Sequence, residues 1–253
     1  MFSIQNVKAG LNTEFLGRHV ISIDQTSSTN DDAWKCFNAH DPEGTLIITN
    51  NQINGRGRRN SEWSSTINKS LTFSFLLLPK LPIENLGLLP LLTGVSIIKG
   101  IRNITKLEVG LKWPNDIMIN KKKIGGILIE SNTDKDRLGI VIGIGLNVNE
   151  NETDIPLRIK ENASSLSIYS GEKFDLSFIL SSILNEFEDH YVNDWNYITT
   201  LWQQYCIHQN KKVTFHDNDK FIQGKFKGIT SSGHARIQLD GKIETYSSGM
   251  ITL

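Results

Sequence analysis

A chain of 253 residues with 38% hydrophobic and 21% charged content is long enough for a sizeable core, and it falls within the range of one large domain or a large and a small one. Its 27 Lys and Arg balance its 27 Asp and Glu. This excludes a whole-molecule field drawing it to nucleic acid or an anionic membrane, so any such attraction is local. Cys36 and Cys206 stand far apart in no metal-ligand spacing, MFSIQNVKAG lacks a signal-peptide pattern, and no run approaches roughly 20 apolar residues, so the expectation is a cytoplasmic chain without a membrane span.

From Ser27, SSTNDDAWKCFNAH offers hydroxyl and amide caps, acidic residues in the first turn, then Trp34 and Phe37 at helical spacing, which predicts a helix of about three turns. TLIITN (45–50) and SLTFSFLLL (70–78) are rich in β-branched and aromatic residues and read as strands flanking the loop QINGRGRR (52–59). A second helix is expected over 86–105 despite Pro90. LEVGLKWPNDIMIN (107–120) reads as a strand, a break at Pro114 and a second strand, with KKKIGGILIE (121–130) returning after a turn. LGIVIGIGLNVN (138–149) reads as a strand buried on both faces where something approaches the backbone closely, closed by Asn147 and Asn149. The one-sided apolar pattern of 175–191 predicts a helix, with another reaching about Cys206. KVTF, FIQGKFKGI, ARIQL and IETY then alternate with HDND, SSGH and Asp240-Gly241, which suggests a small barrel. The expected organisation is a mixed α/β domain over 1–206 and an all-β appendage over 207–253.

QINGRGRR places three arginines and two glycines within five residues. It reads as an RNA-binding tail, a solvated loop or a clamp for a planar anion, and the flanking strands favour the clamp. Lys121 and Lys122 read as a plain basic turn. Lys123 differs, because it starts the returning strand next to Gly125 and Gly126 and points along a possible cleft floor. GIGLN (143–147) alone reads more readily as tight packing.

Ser28, Thr29 and Asn30, Gln52 with GRGRR, KWPND (112–116), Lys123 to Gly126, GIGLN and Ala163 to Leu166 occur in an order and approximate spacing that resembles the biotin protein ligases, across roughly residues 20–253. The resemblance implies an α/β (α+β) fold: a class II aminoacyl-tRNA-synthetase-like mixed sheet flanked by helices, followed by a small C-terminal SH3-like β-barrel. It also implies two half-reactions. Biotin and ATP give biotinyl-AMP and pyrophosphate; a lysine of a biotin carboxyl carrier domain, on acetyl-CoA carboxylase or a related carboxylase, then takes the biotin. On matching positions it implies that Ser28, Thr29, Asn30, Gln52, Gly55, Arg56, Gly57, Arg58, Lys123, Gly126 and Gly143 bind biotin. Arg58, Arg59, Asn115, Asp116 and Asn147 fall to ATP, with Mg²⁺ near Asp116. Lys123 and Arg58 are the implied catalytic pair, and Trp63 is implied either to close the loop or simply to pack.

Asn54 and Asn60 flank GRGRR where many such ligases have Ala and Gly, and Ile124-Gly125 replaces a commoner Leu-Ala pair. A C-terminal arginine of some relatives has no counterpart at Leu253. Fewer than 30 residues precede the Ser27 caps, too few for a winged-helix module, so the expectation is a ligase without repressor activity and without DNA as a partner. Members of the family are monomers or edge-paired homodimers, and either fits. A lipoate ligase is the nearest alternative, with an RNA-binding module behind it.

Overall fold

The computed structural model describes residues 2–80, 83–193, 195, 197–217 and 220–253. In chain order the helices are α1 Ile4–Gly10, α2 Thr29–Asn38, α3 Ile83–Leu86, α4 Leu89–Ile104, α5 Leu166–Ser170, α6 Leu176–Asn193 and α7 Ile198–Tyr205. The strands are β1 Val20–Thr26, β2 Leu46–Gln52, β3 Gly55–Arg56, β4 Glu62–Trp63, β5 Ser70–Leu77, β6 Gly110–Lys112, β7 Asp116–Ile119, β8 Lys122–Asp134 and β9 Arg137–Asn147, then β10 Lys212–Asp217, β11 Lys220–Ile229, β12 Ala235–Leu239, β13 Lys242–Tyr246 and β14 Met250–Thr252. Pro90 does not interrupt its helix because it sits in the first turn of α4, where its missing N–H has no helical partner to lose.

Seven strands form one mixed sheet in the order β1, β2, β5, β9, β8, β7, β6. β1 and β2 run parallel and the other neighbours antiparallel. Side chains alternate between its faces. Phe73, Phe75, Ile142 and Ile144 join the large core with Val95, Ile98, Ile183 and Trp202 of α4, α6 and α7. The opposite face packs Leu76, Val141 and Ile47 against Ala33, Cys36 and Phe37 of α2.

That second face changes character along the strands. The pair Leu76 and Val141 is followed by Ser74 opposite Gly143, then Thr72 opposite Gly145. Apolar packing gives way to small and polar groups, met by the polar first turn of α2 rather than by its apolar face.

The C-terminal strands form a five-stranded sheet in the order β13, β12, β11, β10, β14. It is rolled, since Phe215 of β10 lies 4.4 Å from Tyr246 of β13, ring centre to ring centre, although two strands intervene. The Asp240-Gly241 turn has φ 45° and 83°, as a tight hairpin requires. Asn218 and Asp219 of the HDND connection lie outside the described residues. Trp113 joins the two sheets: its Nε1 donates to Gly233 O at 3.1 Å, and its ring lies 5.9 Å from Phe215.

Candidate active site

A cavity of about 330 Å³ opens on this face of the sheet, within the size range of small-molecule sites. Ser28 is the N-cap of α2, although its side chain makes no capping bond. Its neighbours form a chain of buried hydrogen bonds. Thr29 N donates to Gln52 Oε1 at 2.8 Å; Thr29 Oγ1 and Ser74 Oγ lie 2.6 Å apart; and Ser74 Oγ donates to Asn30 Oδ1 at 2.6 Å. Asn30 Nδ2 then donates to Glu130 Oε2 at 2.9 Å. A Cβ on Gly143 would fall 2.1 Å from Asn30 Oδ1, and one on Gly145 2.2 Å from the Trp63 indole. The groups that approach the GIGLN backbone closely are therefore the chain's own Asn30 and Trp63.

The arginine loop spans β3, a short turn at Arg58–Asn60 and β4. Its left-handed residue is Arg59, with φ 53°, while Gly57 has φ −115°. Arg56 is engaged by carboxylates: Nη1 and Nη2 donate to Asp31 at 2.8 and 2.6 Å, and Glu130 lies at 3.6 Å. The hydrogen bond from Arg56 holds the Asp31 carboxyl below its ordinary range. Arg58 makes no ion pair among the described residues; its Nη1 reaches Asn115 Oδ1 at 3.5 Å. Burial and the adjacent Arg59 lower its guanidinium pKa, with Asp116 opposing.

Asp116 binds two lysines, Lys123 Nζ at 2.6 Å and Lys112 Nζ at 2.9 Å, one on each oxygen. Burial pushes its carboxyl up, but the two ammonium groups outweigh this and hold it below the usual range. The backbone of Lys123 is anchored in turn, donating to Asn162 O at 2.7 Å and accepting from Ser164 N at 2.9 Å. Asn115 Nδ2 donates to Ile127 O at 2.8 Å.

Ser28, Thr29, Asn30, Gln52, Arg56, Gly57, Arg58, Arg59, Asn115, Asp116, Lys123, Gly126 and Gly143 all line this cavity. Gly55 and Asn147 do not. Gly55 pairs with Trp63 in the β3–β4 hairpin behind the loop. Asn147 is buried at the end of β9, where its Nδ2 donates to Ser164 O at 2.9 Å, so it holds the segment that anchors Lys123. The expected Mg²⁺ position at Asp116 does not fit the donors present, since both carboxylate oxygens are taken by lysines. Among the described residues no group of three or more His, Cys, Asp or Glu is arranged to hold a metal.

Several lining residues were missed by sequence reasoning: Thr72, Lys112, Trp113, Gly145 and the β14 residues Met250 to Thr252. Gly145 follows from Gly143 by strand period, and Lys112 lies in the KWPND motif. Nothing local marks β14. It supplies a cavity wall from the rolled sheet.

A family profile described as "Biotin/lipoate A/B protein ligase family" matches residues 22–147, and one described as "Biotin protein ligase C terminal domain" matches 208–253. The chain is 35% identical to a bifunctional ligase/repressor of Bacillus spizizenii over 99% of its own length and 79% of the relative's. It is 30% identical to a biotin--[acetyl-CoA-carboxylase] ligase of Mycobacterium tuberculosis over 68% of its length and 63% of that protein. Among solved structures, a biotin protein ligase from Aquifex aeolicus in complex with biotin and ATP superposes with a TM-score of 0.79 at 30% identity, covering 93% of this chain and 98% of the other. No helix among the described residues is long and apolar enough to cross a membrane.

Proposed function

The chain belongs to the biotin protein ligases of the biotin/lipoate A/B protein ligase family, and on that premise we propose that its cavity joins biotin to AMP and passes the biotin to a carrier lysine. A biotin carboxylate oxygen attacks the α-phosphorus of ATP and pyrophosphate leaves. The ε-amine of a biotin carboxyl carrier domain then attacks the acyl carbon and AMP leaves.

One observation carries this reading: neutral hydrogen-bonding groups and cationic groups line the same cavity. Ser28, Thr29, Asn30 and Gln52 suit a neutral ureido head, which offers donors and an acceptor. Arg58 and Lys123 suit a carboxylate and an α-phosphate, two anions that repel until cations hold them within bonding distance. Arg59 and Asn115 stand beside them for the nucleotide. Arg56, occupied by Asp31, docks the loop on α2. Asp116, with both oxygens engaged, serves to anchor Lys112 and Lys123.

Closing the arginine loop over the acyl-adenylate excludes the water that hydrolyses it. Arg58→Gly is therefore expected to leave adenylate synthesis partly working while releasing the intermediate. Mass spectrometry finding bystander proteins no more biotinylated than with the parent chain overturns that role.

The test of the whole reading is exchange of labelled pyrophosphate into ATP with biotin, with lipoate and with neither acid. Biotin-dependent exchange is the expected result. Exchange with lipoate alone keeps the adenylation chemistry and changes the substrate; exchange with neither, from folded protein, removes the reading.

A further inference from the structure

A second cavity, of about 220 Å³, meets the first at Arg58, Trp113, Pro114, Asn115 and Ile127, which line both. Its other walls come from two parts of the chain. Pro90, Leu91 and Ile129 supply apolar surface, and Ser232, His234 and Ser247 of the rolled sheet form a polar side. Trp113 Nε1 is bonded to Gly233 O, and Thr230 bonds His234 and Gly233 across the turn, so the junction between the two parts is pinned.

We propose that this cavity is the passage through which the acceptor lysine side chain reaches the activated carboxyl group. The inference rests on the ligase reading above. Once the first cavity holds an acyl-adenylate it is occupied, and the amine must reach the acyl carbon from another side. The second cavity ends at Arg58, the residue assigned to the group being activated.

Its size and lining suit that occupant. It lies below the volume of drug-sized ligand sites, while an aliphatic stem lying along Leu91, Ile129 and Trp113 removes its methylenes from water. Among the described residues no Asp or Glu lines the passage to trap an ammonium ion. Arg58 at its inner end disfavours the charged form and favours the free amine, which is the nucleophile.

The lysine sheds one proton to water at the mouth on becoming a free amine. Its nitrogen lone pair forms the new bond to the acyl carbon. The acyl carbon–oxygen bond to phosphate breaks, its electron pair leaves with AMP, and the second nitrogen proton passes to water.

Ser232→Trp and Ser247→Trp each narrow the mouth from an exposed position, and neither serine lines the first cavity; Ser232→Ala is the conservative control. Each variant is first matched to the parent by thermal unfolding, then given preformed biotinyl-AMP in a single turnover. The acceptors are a biotin carboxyl carrier domain and, separately, n-butylamine, which needs no docking surface. Biotin-dependent pyrophosphate exchange is measured alongside.

The expected result is exchange within about twofold of the parent, with transfer to both acceptors slowed roughly tenfold or more in the Trp variants and unchanged in Ser232→Ala. Unchanged transfer overturns the passage. Slowing with the carrier domain alone also overturns it, since the wall is then only a docking surface. Impaired exchange with a raised KM for ATP overturns it in favour of a nucleotide subsite. Parent protein without biotin-dependent exchange fails at an earlier step and removes the ligase reading together with the passage.

Discussion

Asp116 takes Lys123 on one oxygen and Lys112 on the other, so a single partly buried carboxylate fixes both ammonium groups of the cavity floor. Its carboxyl pKa lies below the unfolded value of about 3.9. The stabilisation is therefore complete above that value and is lost as pH falls through the folded one. Asp116→Asn is expected to cost about 1–2 kcal/mol at pH 7, since it leaves two partly buried cations unpaired. Urea unfolding at pH 7 and at about pH 3 checks this, because the gap to the parent narrows in acid; an equal gap at both values removes the ion pairs from the explanation. Arg56 and Arg58 are adjacent in motif but differ in state. The first is already matched by Asp31, whereas the second is half-buried beside an amide, leaving its charge for an incoming anion.

Strands β5 and β9 explain why the cavity lies where it does. Their α2-facing row passes from Leu76 and Val141 to Ser74 and Gly143, then to Thr72 and Gly145. Just beyond β9, Glu150 is buried: Oε1 accepts from Ser70 Oγ, the backbone carbonyl accepts from Ser165 Oγ at 2.7 Å, and Oε2 has no partner among the described residues. Burial pushes this carboxyl up. Its sign is opposite to that of Asp116, so the folded state loses stability as pH rises from about 4.3 through the folded value. Glu150→Gln is expected to raise stability by about 1 kcal/mol at pH 7 and little near pH 4. Thermal unfolding at the two pH values is the measurement, and a loss at pH 7 contradicts the charge argument.

The elements that sequence made legible were those with strong apolar periodicity. β5, β9, α4 and α6 fall within a few residues of expectation, because each buries a full row of side chains. β1 was unread, since VISIDQT is half-exposed and carries polar residues along the sheet edge. The two-residue strands β3 and β4 are set by contacts between Gly55 and Trp63 rather than by local propensity. At the cavity, the arginine loop and Lys123 were legible from charge and neighbouring glycines, whereas Ser28, Thr29, Asn30 and Gln52 came from the resemblance to biotin protein ligases. Thr72 and Ile251 were not legible, since their roles arise only when distant strands meet.

Across the molecule, one buried cluster runs from the seven-stranded sheet into the rolled one. It includes Trp202 and Ile198 of α7 together with Phe215, Phe226 and Ile237. The boundary proposed at 206/207 lies between α7 and β10, yet this core crosses it. Removing the Phe226 ring is therefore expected to weaken both parts. Phe226→Ala should cost about 3–5 kcal/mol, and ellipticity and pyrophosphate exchange should be lost together in denaturant. Separate transitions would mean that the rolled sheet unfolds alone.

Of the five tryptophans, Trp63 lines the cavity with its indole against Gly145 and its buried Nε1 without a partner among the described residues. Trp113, the other tryptophan there, has its Nε1 committed to Gly233 O. Trp63 is thus a built-in optical reporter. A ligand arriving in the cavity alters the surroundings of Trp63 and Trp113, while Trp34, Trp195 and Trp202 are not among its lining residues. Titration with biotin or ATP followed by intrinsic emission should give a saturable change in the parent chain and a much smaller one in Trp63→Phe, carried by Trp113, without any dye or label.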